Sequence, residues 1–245
     1  MENTVLAVIS RQMGIGREMD AIANNIANAS TDGFKSERIM FYEYLQDIGN
    51  NQTMAFIKVA GVIRDFTDGP IRTTGNPLDI AIRGEGFLKI ETDDGILYTR
   101  SGRLHLDPTG MLVNADGQAV LGDSDLPILT FPGDTAIIID PDGRVTSESG
   151  ELGRLALVVF EDVSKLIKLG NGLYDSKADP IDPEEPGDVT VIQAALEGSN
   201  VEPITEMTKM IMLLRSYQGT QTLGNEEHDL RRKAIGILGG VSQSA

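Results

Sequence analysis

The side chains best able to do chemistry are few and far apart. Only two histidines occur, His105 and His228. His105 lies in the strand-like run Arg103-Leu104-His105-Leu106, and His228 stands among Glu226, Glu227 and Asp229. Neither has a Ser, Cys or second His at the spacing of a nucleophile–base pair or a zinc site, so both read as structural or surface residues. Gly84-Glu85-Gly86-Phe87 has two of the glycines of a dinucleotide-binding loop, but it precedes a strand where such a loop must follow one, and the third Gly is missing. It reads as a tight turn entering Phe87 to Ile90. Asp140, Asp142 and Glu151 fall at positions 1, 3 and 12 of a calcium loop, yet Arg144 and Val145 stand where a ligand and a Gly are needed. A hairpin turn is the better reading. Asp79 could pair with Glu85 or Glu91 as an acid–base couple, but their spacing favours ordinary strand-edge charges. The chain has no cysteine, which excludes disulfides and thiolate metal sites. The inventory therefore predicts no catalytic, cofactor or metal site and no enzyme.

Composition points the same way. The 245 residues carry a net charge of −16, which opposes binding to nucleic acid. The charge is uneven: the net is −2 over residues 1–45, −13 over 46–194 and −1 over 195–245. Near-neutral ends suit close packing, and an acidic middle suits a solvated exterior. Hydrophobic residues make up 40%, enough for a core, but aromatics are only 5% and Trp is absent, so that core must be aliphatic. The amino terminus does not read as a secretory leader. Glu2 sits where positive charge belongs, and Thr4 to Ile9 is too short for its apolar region. No stretch has the length for membrane insertion. A route out of the cytoplasm would then need no cleaved signal.

The elements that must position these residues are helical at both ends and β-rich between. Ile15, Met19, Ile22 and Ile26 recur at helical spacing on one face, extending an apolar stripe from Leu6, Ile9 and Met13. This helix should end near Ala29, before the turn Ser30-Thr31-Asp32-Gly33. In the middle, Asp94-Gly95, Thr109-Gly110, Asp116-Gly117 and Asp142-Gly143 are turn signals. They separate short strand-like runs at Phe87–Glu91, Ile96–Thr99, Met111–Val113, Ala136–Ile139 and Leu155–Phe160, the rhythm of antiparallel sheet. Residues 175–188, rich in Pro and acidic side chains, read as a loop. A second helix should open at Glu202-Pro203, capped by Asn200 or Ser199. Ile204, Met207, Ile211, Leu214 and Tyr217 form its first stripe, and Leu223, Leu230, Ala234 and Ile237 a second register. Unbroken from Glu202 to Leu238, it would measure about 55 Å at about 1.5 Å per residue. The fold class expected is α+β. Residues 1–45 and 196–245 would form a helical layer packed between subunits in coiled-coil fashion, 46–75 an extended linker, and 76–195 a β-rich outer domain.

Asn24, Asn25 and Asn28 stand beside the Ile22/Ile26 stripe. Asn is a mediocre helix former, and amides beside an apolar seam can fix register between helices. These residues also carry a family likeness. Ala23-Asn24-Asn25-Ile26-Ala27-Asn28-Ala29-Ser30-Thr31-Asp32-Gly33-Phe34-Lys35 resembles the amino-terminal motif of flagellar rod and hook proteins. Thr74-Gly75-Asn76-Pro77-Leu78-Asp79-Ile80-Ala81-Ile82, Gly84-Glu85-Gly86-Phe87 and Tyr98-Thr99-Arg100-Ser101-Gly102 resemble their central motif. Leu196-Glu197-Gly198-Ser199-Asn200-Val201 with Glu206-Met207 and Arg215-Ser216-Tyr217 resembles their carboxy-terminal motif. The three occur in order across almost the whole chain. Length and the stretch Asp142–Leu155 favour the proximal rod within that family, with the distal rod as the alternative. Gln218 stands where the pattern has an acidic residue, which removes one ion pair from the expected set.

The resemblance implies a structural subunit of the flagellar basal body. Such a subunit passes through the flagellar export apparatus and assembles helically with copies of itself and other rod subunits into the drive shaft. The subunit interface expected is Ile15, Met19, Ile22, Asn24, Asn25, Ile26, Asn28, Ile204, Met207, Ile211, Leu214, Tyr217, Leu223 and Leu230, with both terminal segments fully ordered only once packed. Two alternatives from other classes remain at this level. One is a soluble β-domain enzyme whose terminal helices fold back. The other is a membrane-surface protein, whose amphipathic ends would want a Lys/Arg-rich polar face that these lack.

Overall fold

A computed structural model describes residues 2–47, 53–134, 136–183 and 188–241. The chain forms two compact units, and each is discontinuous in sequence: 1–26, 37–63 and 202–245 make the first, and 27–36 with 64–201 the second.

The first unit holds helix α1 (Glu2–Ala27), strands β1 (Glu37–Asp47) and β2 (Thr53–Arg64), and helix α2 (Pro203–Val241). Helix α1 stops two residues before the expected Ala29. Asn28 accepts from the Thr31 N–H at 3.1 Å, and Gly33 takes a positive φ of 70° to turn the chain. Helix α2 opens with Pro203 in its first turn, where a missing N–H costs nothing, and Glu206 N–H donates to Glu202 O at 3.0 Å. Strands β1 and β2 pair as a two-stranded sheet, β1 lying almost wholly in the stretch 1–45 expected to be helix and turn and β2 in the expected linker 46–75. The reason is visible in β1: Ile39, Met40, Phe41 and Tyr42 put apolar side chains on both faces, so no period-2 alternation marks it.

The second unit is the β-rich body. Its strands are β3 (Ile71–Thr73), β4 (Ile80–Arg83), β5 (Phe87–Thr92), β6 (Gly95–Thr99), β7 (Leu104–Leu106), β8 (Leu112–Asn114) and β9 (Ala119–Val120). They continue as β10 (Ile137–Ile139), β11 (Arg144–Ser147), β12 (Gly150–Arg154), β13 (Leu157–Val158), β14 (Ile167–Gly170), β15 (Leu173–Asp175), β16 (Thr190–Gln193) and β17 (Ala195–Glu197). The largest sheet runs β14-β15-β6-β5-β9-β8-β7, with β13 also paired to β5. Strands β10-β11-β12 form a meander, β16 pairs with β4, and β17 with β3, every named pair antiparallel. The last two pairings bring residues 190–197 back onto 71–83. Glycines at the expected turns, Gly95, Gly110, Gly117 and Gly143, all have positive φ.

The core is aliphatic, as the composition requires. Ile80, Ile82, Leu88, Ile90, Leu104, Leu112, Val120 and Val145 lie together at 2% exposure or less. Five of the twelve aromatics, Phe66, Phe87, Tyr98, Phe160 and Tyr174, gather in a second cluster, where Phe87 meets Phe160 edge-on at 5.5 Å and Tyr98 meets Phe160 at 4.8 Å.

Candidate assembly surface

The first unit carries most of the residues expected to bind other subunits. Helices α1 and α2 run antiparallel. Asn25, near the end of α1, donates to Glu206 Oε2 at the start of α2 at 3.1 Å. Toward the other end, Val8, Ile9 and Gln12 face Tyr217, Gln221, Gly224 and Asn225 across a cleft of about 300 Å³. A Cβ at Gly224 would meet Val8 Cγ1 at 3.8 Å, an ordinary van der Waals contact, so the two helices lie close at this level.

Part of the α1 stripe is covered within the chain itself. Ile15 and Ile22 are 8% and 5% exposed, with Ala21 buried beside them. Their apolar surface is covered before any second copy arrives. Met19 and Ile26 are half-buried, while Ile9 and Met13 remain exposed. The asparagines divide similarly. Asn25 is 1% exposed, accepts from the Glu37 N–H at 2.8 Å and donates to Glu37 O at 2.8 Å, so it ties α1 to β1 and α2 at once. Asn24 is exposed and Asn28 half-buried.

Helix α2 is different. At about 100° per residue, its covered positions Glu206, Met210, Leu213, Tyr217, Thr220 and Gly224 fall on one face. Ile204, Met207, Ile211 and Leu214 lie on a second face and are 82%, 51%, 52% and 40% exposed. Met212, Leu223 and Leu230 lie on a third, at 63%, 62% and 65%. The three faces are spaced by roughly 120°. Tyr217, expected at the interface, is half-buried on the inward face. The side chains of His228, Ala234 and Ile237 lie outside the described residues. The strand pair adds a further apolar row that the sequence reading missed. Met40, Tyr42 and Tyr44 alternate on one face of β1 at 46%, 44% and 56% exposure, with the Lys58 ammonium 5.8 Å from the Tyr42 ring.

In the second unit, positions weighed for chemistry have structural roles. Gly84 adopts φ 90° in the turn before β5, and a Cβ there would meet Asp188 O at 2.2 Å. Gly143 N–H donates to Asp140 O at 2.9 Å, closing the hairpin turn, and the Asp142 carboxylate is taken up by Arg154 and Arg144. These arginines hold Asp142 below the usual carboxylate range. Asp79 accepts from Asn76 Nδ2 at 3.0 Å and bridges to Arg103 in the backbone. His105 is exposed on β7. Among the described residues no group of three or more His, Cys, Asp or Glu side chains could hold a metal ion, and no helix is long and apolar enough to cross a membrane.

Sequence reasoning also missed a convergence. One charged residue from each of the three motifs, Lys35, Arg100 and Glu197, meets the others in a buried cluster of the second unit.

Comparison with known proteins decides the family. Three family models match in order: a flagella basal body rod protein model over residues 10–35, a flagellar hook protein FlgE/F/G D1 domain over 81–147, and a flagellar basal body rod FlgEFG protein C-terminal model over 192–237. A flagellar basal-body rod protein FlgF from Caulobacter vibrioides is 36% identical, covering 99% of this chain and 100% of its own. The chain belongs to the flagellar basal-body rod protein family. A FlgF from Mesorhizobium japonicum is 29% identical over 99% of this chain and all of its own, and a FlgG from Bacillus subtilis 28% over 97% and 99%. Among the rod proteins, the likeness is greater to FlgF.

Proposed function

We propose that this chain is a structural subunit of the flagellar basal-body rod, of the proximal FlgF type, with no catalytic role. The observation that carries the assembly mechanism is helix α2. One of its faces is covered by its own chain, and two others present Ile204, Met207, Ile211 and Leu214, and Met212, Leu223 and Leu230, uncovered. Exposed apolar area of this extent on one helix marks an association surface. The two faces lie at different heights along α2 and point in different directions. A closed two-fold dimer needs only one self-complementary patch, whereas two unlike patches favour head-to-tail contacts that need not close. Copies of this chain and other rod subunits would thus stack helically, with the terminal helices in a coiled-coil-like layer and the acidic β-rich body outside. The interface then consists of the outward α2 residues, together with Ile9, Met13 and the outward part of α1. Export through the flagellar secretion apparatus and residence in the periplasm-spanning rod belong to the same reading.

The test is assembly of purified subunit with other rod subunits, followed by sedimentation against concentration. A sharp critical concentration supports the reading. A single species that stays monomeric at all concentrations, alone and with other rod subunits, contradicts it and returns the folded-back soluble protein to first place.

A further inference from the structure

The β-rich unit contains a buried group of charges for which the assembly reading has no use. The Lys35 and Arg100 side chains are 0% and 1% exposed, and Glu197 is the buried carboxylate between them at 1%. Glu197 Oε1 accepts from Lys35 Nζ at 2.7 Å, from the Gly69 N–H at 2.9 Å and from Arg100 Nη2 at 3.4 Å. Its Oε2 accepts from Arg100 Nε at 3.2 Å. Lys35 also donates to Thr67 O at 2.7 Å, and Arg100 to Gly86 O at 2.9 Å, to Gly84 O and to Asp68 at 2.8 Å. Asp68 sits at the rim, 41% exposed. The guanidinium caps the aromatic cluster, 5.7 Å from the Phe87 ring. Backbone contacts wedge the same place shut. Gly33 N–H donates to Glu197 O at 2.8 Å, Gly198 N–H to Pro70 O at 2.9 Å, and a Cβ on Gly69 would stand 2.0 Å from Gly198 O.

The partners are remote in sequence. Glu197 follows Lys35 by 162 residues and Arg100 by 97. A buried cation without its anion is strongly unfavourable, whereas a complete set of partners is tolerated. We propose that Glu197 is a latch. Its carboxylate, last of the cluster to arrive in a chain delivered amino terminus first, closes residues 33–36, 67–70 and 197–200 onto a sheet already formed by β5 and β6. Until then the half-exposed Asp68 is the carboxylate left to Arg100, Lys35 has Thr67 O in place of a carboxylate partner, and these segments stay open. The latch is a property of this unit alone and stands or falls apart from the assembly of α2.

Native-state hydrogen exchange on the full chain tests it. Glu197→Gln keeps the shape and removes the charge. The amides of Gly33, Gly69 and Gly198 should then exchange about 100-fold faster or more, while those of Ile90 and Leu97 keep their wild-type rates. The double variant Lys35→Met/Glu197→Gln removes one cation with the anion and should return the three glycine amides to within about tenfold of wild type. Unchanged exchange in Glu197→Gln overturns the latch. So does acceleration of Ile90 and Leu97 to the same degree, which would make the cluster a support of the whole unit. Failure of the double variant to restore protection overturns it as well, since shape rather than charge would then be the cause.

Discussion

Ile22 and Ile211 are both helix residues of the expected interface, yet replacing each with Asp should have opposite consequences. Ile22 is 5% exposed within the single chain, so Ile22→Asp places a carboxylate in the buried interior of the first unit. That costs on the order of 3–5 kcal/mol, among the larger effects of single substitutions. It should melt the helix pair of the isolated subunit. Ile211 is 52% exposed, so Ile211→Asp should change subunit stability by only about 0.5–1 kcal/mol, chiefly through helix propensity. Its effect appears on assembly. Fully burying an Ile is worth about 1.5–3 kcal/mol, and about half of that remains to be gained here. Desolvating the new carboxylate adds at least another 1–3 kcal/mol. The association constant per contact should therefore fall roughly 20-fold to 1500-fold. Circular dichroism melting of dilute subunit and sedimentation of concentrated subunit, run on both variants, separate the two effects. If Ile211→Asp assembles at the wild-type critical concentration, or if it melts the subunit as far as Ile22→Asp does, the outward face of α2 is not the contact surface.

Asn25→Ala should destabilise the first unit by about 2–3 kcal/mol, because it strips partners from the Glu37 backbone and the Glu206 carboxylate; chemical denaturation followed by helix signal reads this directly. Asp107, Asp142 and Asp162 are held below 3.8 by hydrogen bonds from Thr109, Arg154 and Ser164, respectively. Their stabilisation is present above about pH 3.8 and is lost as pH falls through their lower folded values, since the unfolded chain takes up protons first. Unfolding free energy should drop with acidification in that window, and Asp107→Asn should flatten the slope; an unaltered slope refutes the assignment. Calcium should bind the Asp140–Glu151 stretch without stoichiometry or stabilisation, since Asp142 is engaged by two arginines. Saturation at one equivalent with a raised melting temperature would contradict this.

Local signals were legible and remote ones were not. The turn glycines at 95, 110, 117 and 143, the start of α2 at Pro203 and the run Phe87–Glu91 all follow from short-range rules of φ preference and alternation. Leu155–Phe160 was read as one strand, but only Leu157–Val158 pair regularly, with Leu155 and Val159 in isolated bridges to different partners. The pairings of β16 with β4 and β17 with β3 join residues more than a hundred positions apart, and nothing in the composition of either strand names its partner. The β1–β2 pair escaped because its apolar residues occupy both faces. In the terminal helices the stripes were found but their direction was not. Periodicity shows that Ile22 and Ile211 each lie on an apolar face; whether a face turns toward its own chain or away from it depends on packing that a single helix does not encode.

That distinction divides the motif residues by task. Asn25 turns inward and fixes α1 against β1 and α2, while its neighbour Asn24 faces out. Lys35, Arg100 and Glu197, one from each motif, meet inside the β-rich unit instead of at its surface. A shaft subunit must hold its shape under load while its contacts with neighbours repeat along the structure. Buried, fully partnered charges suit the first demand, because they tolerate few alternative arrangements. Uncovered Ile, Leu and Met side chains suit the second, because apolar contact is non-directional and admits small shifts between unlike neighbours. On the proposed assembly, then, the most distinctive residues of the sequence build the subunit, and the plain aliphatic positions of α2, uncovered in the single chain, are the ones offered to its neighbours.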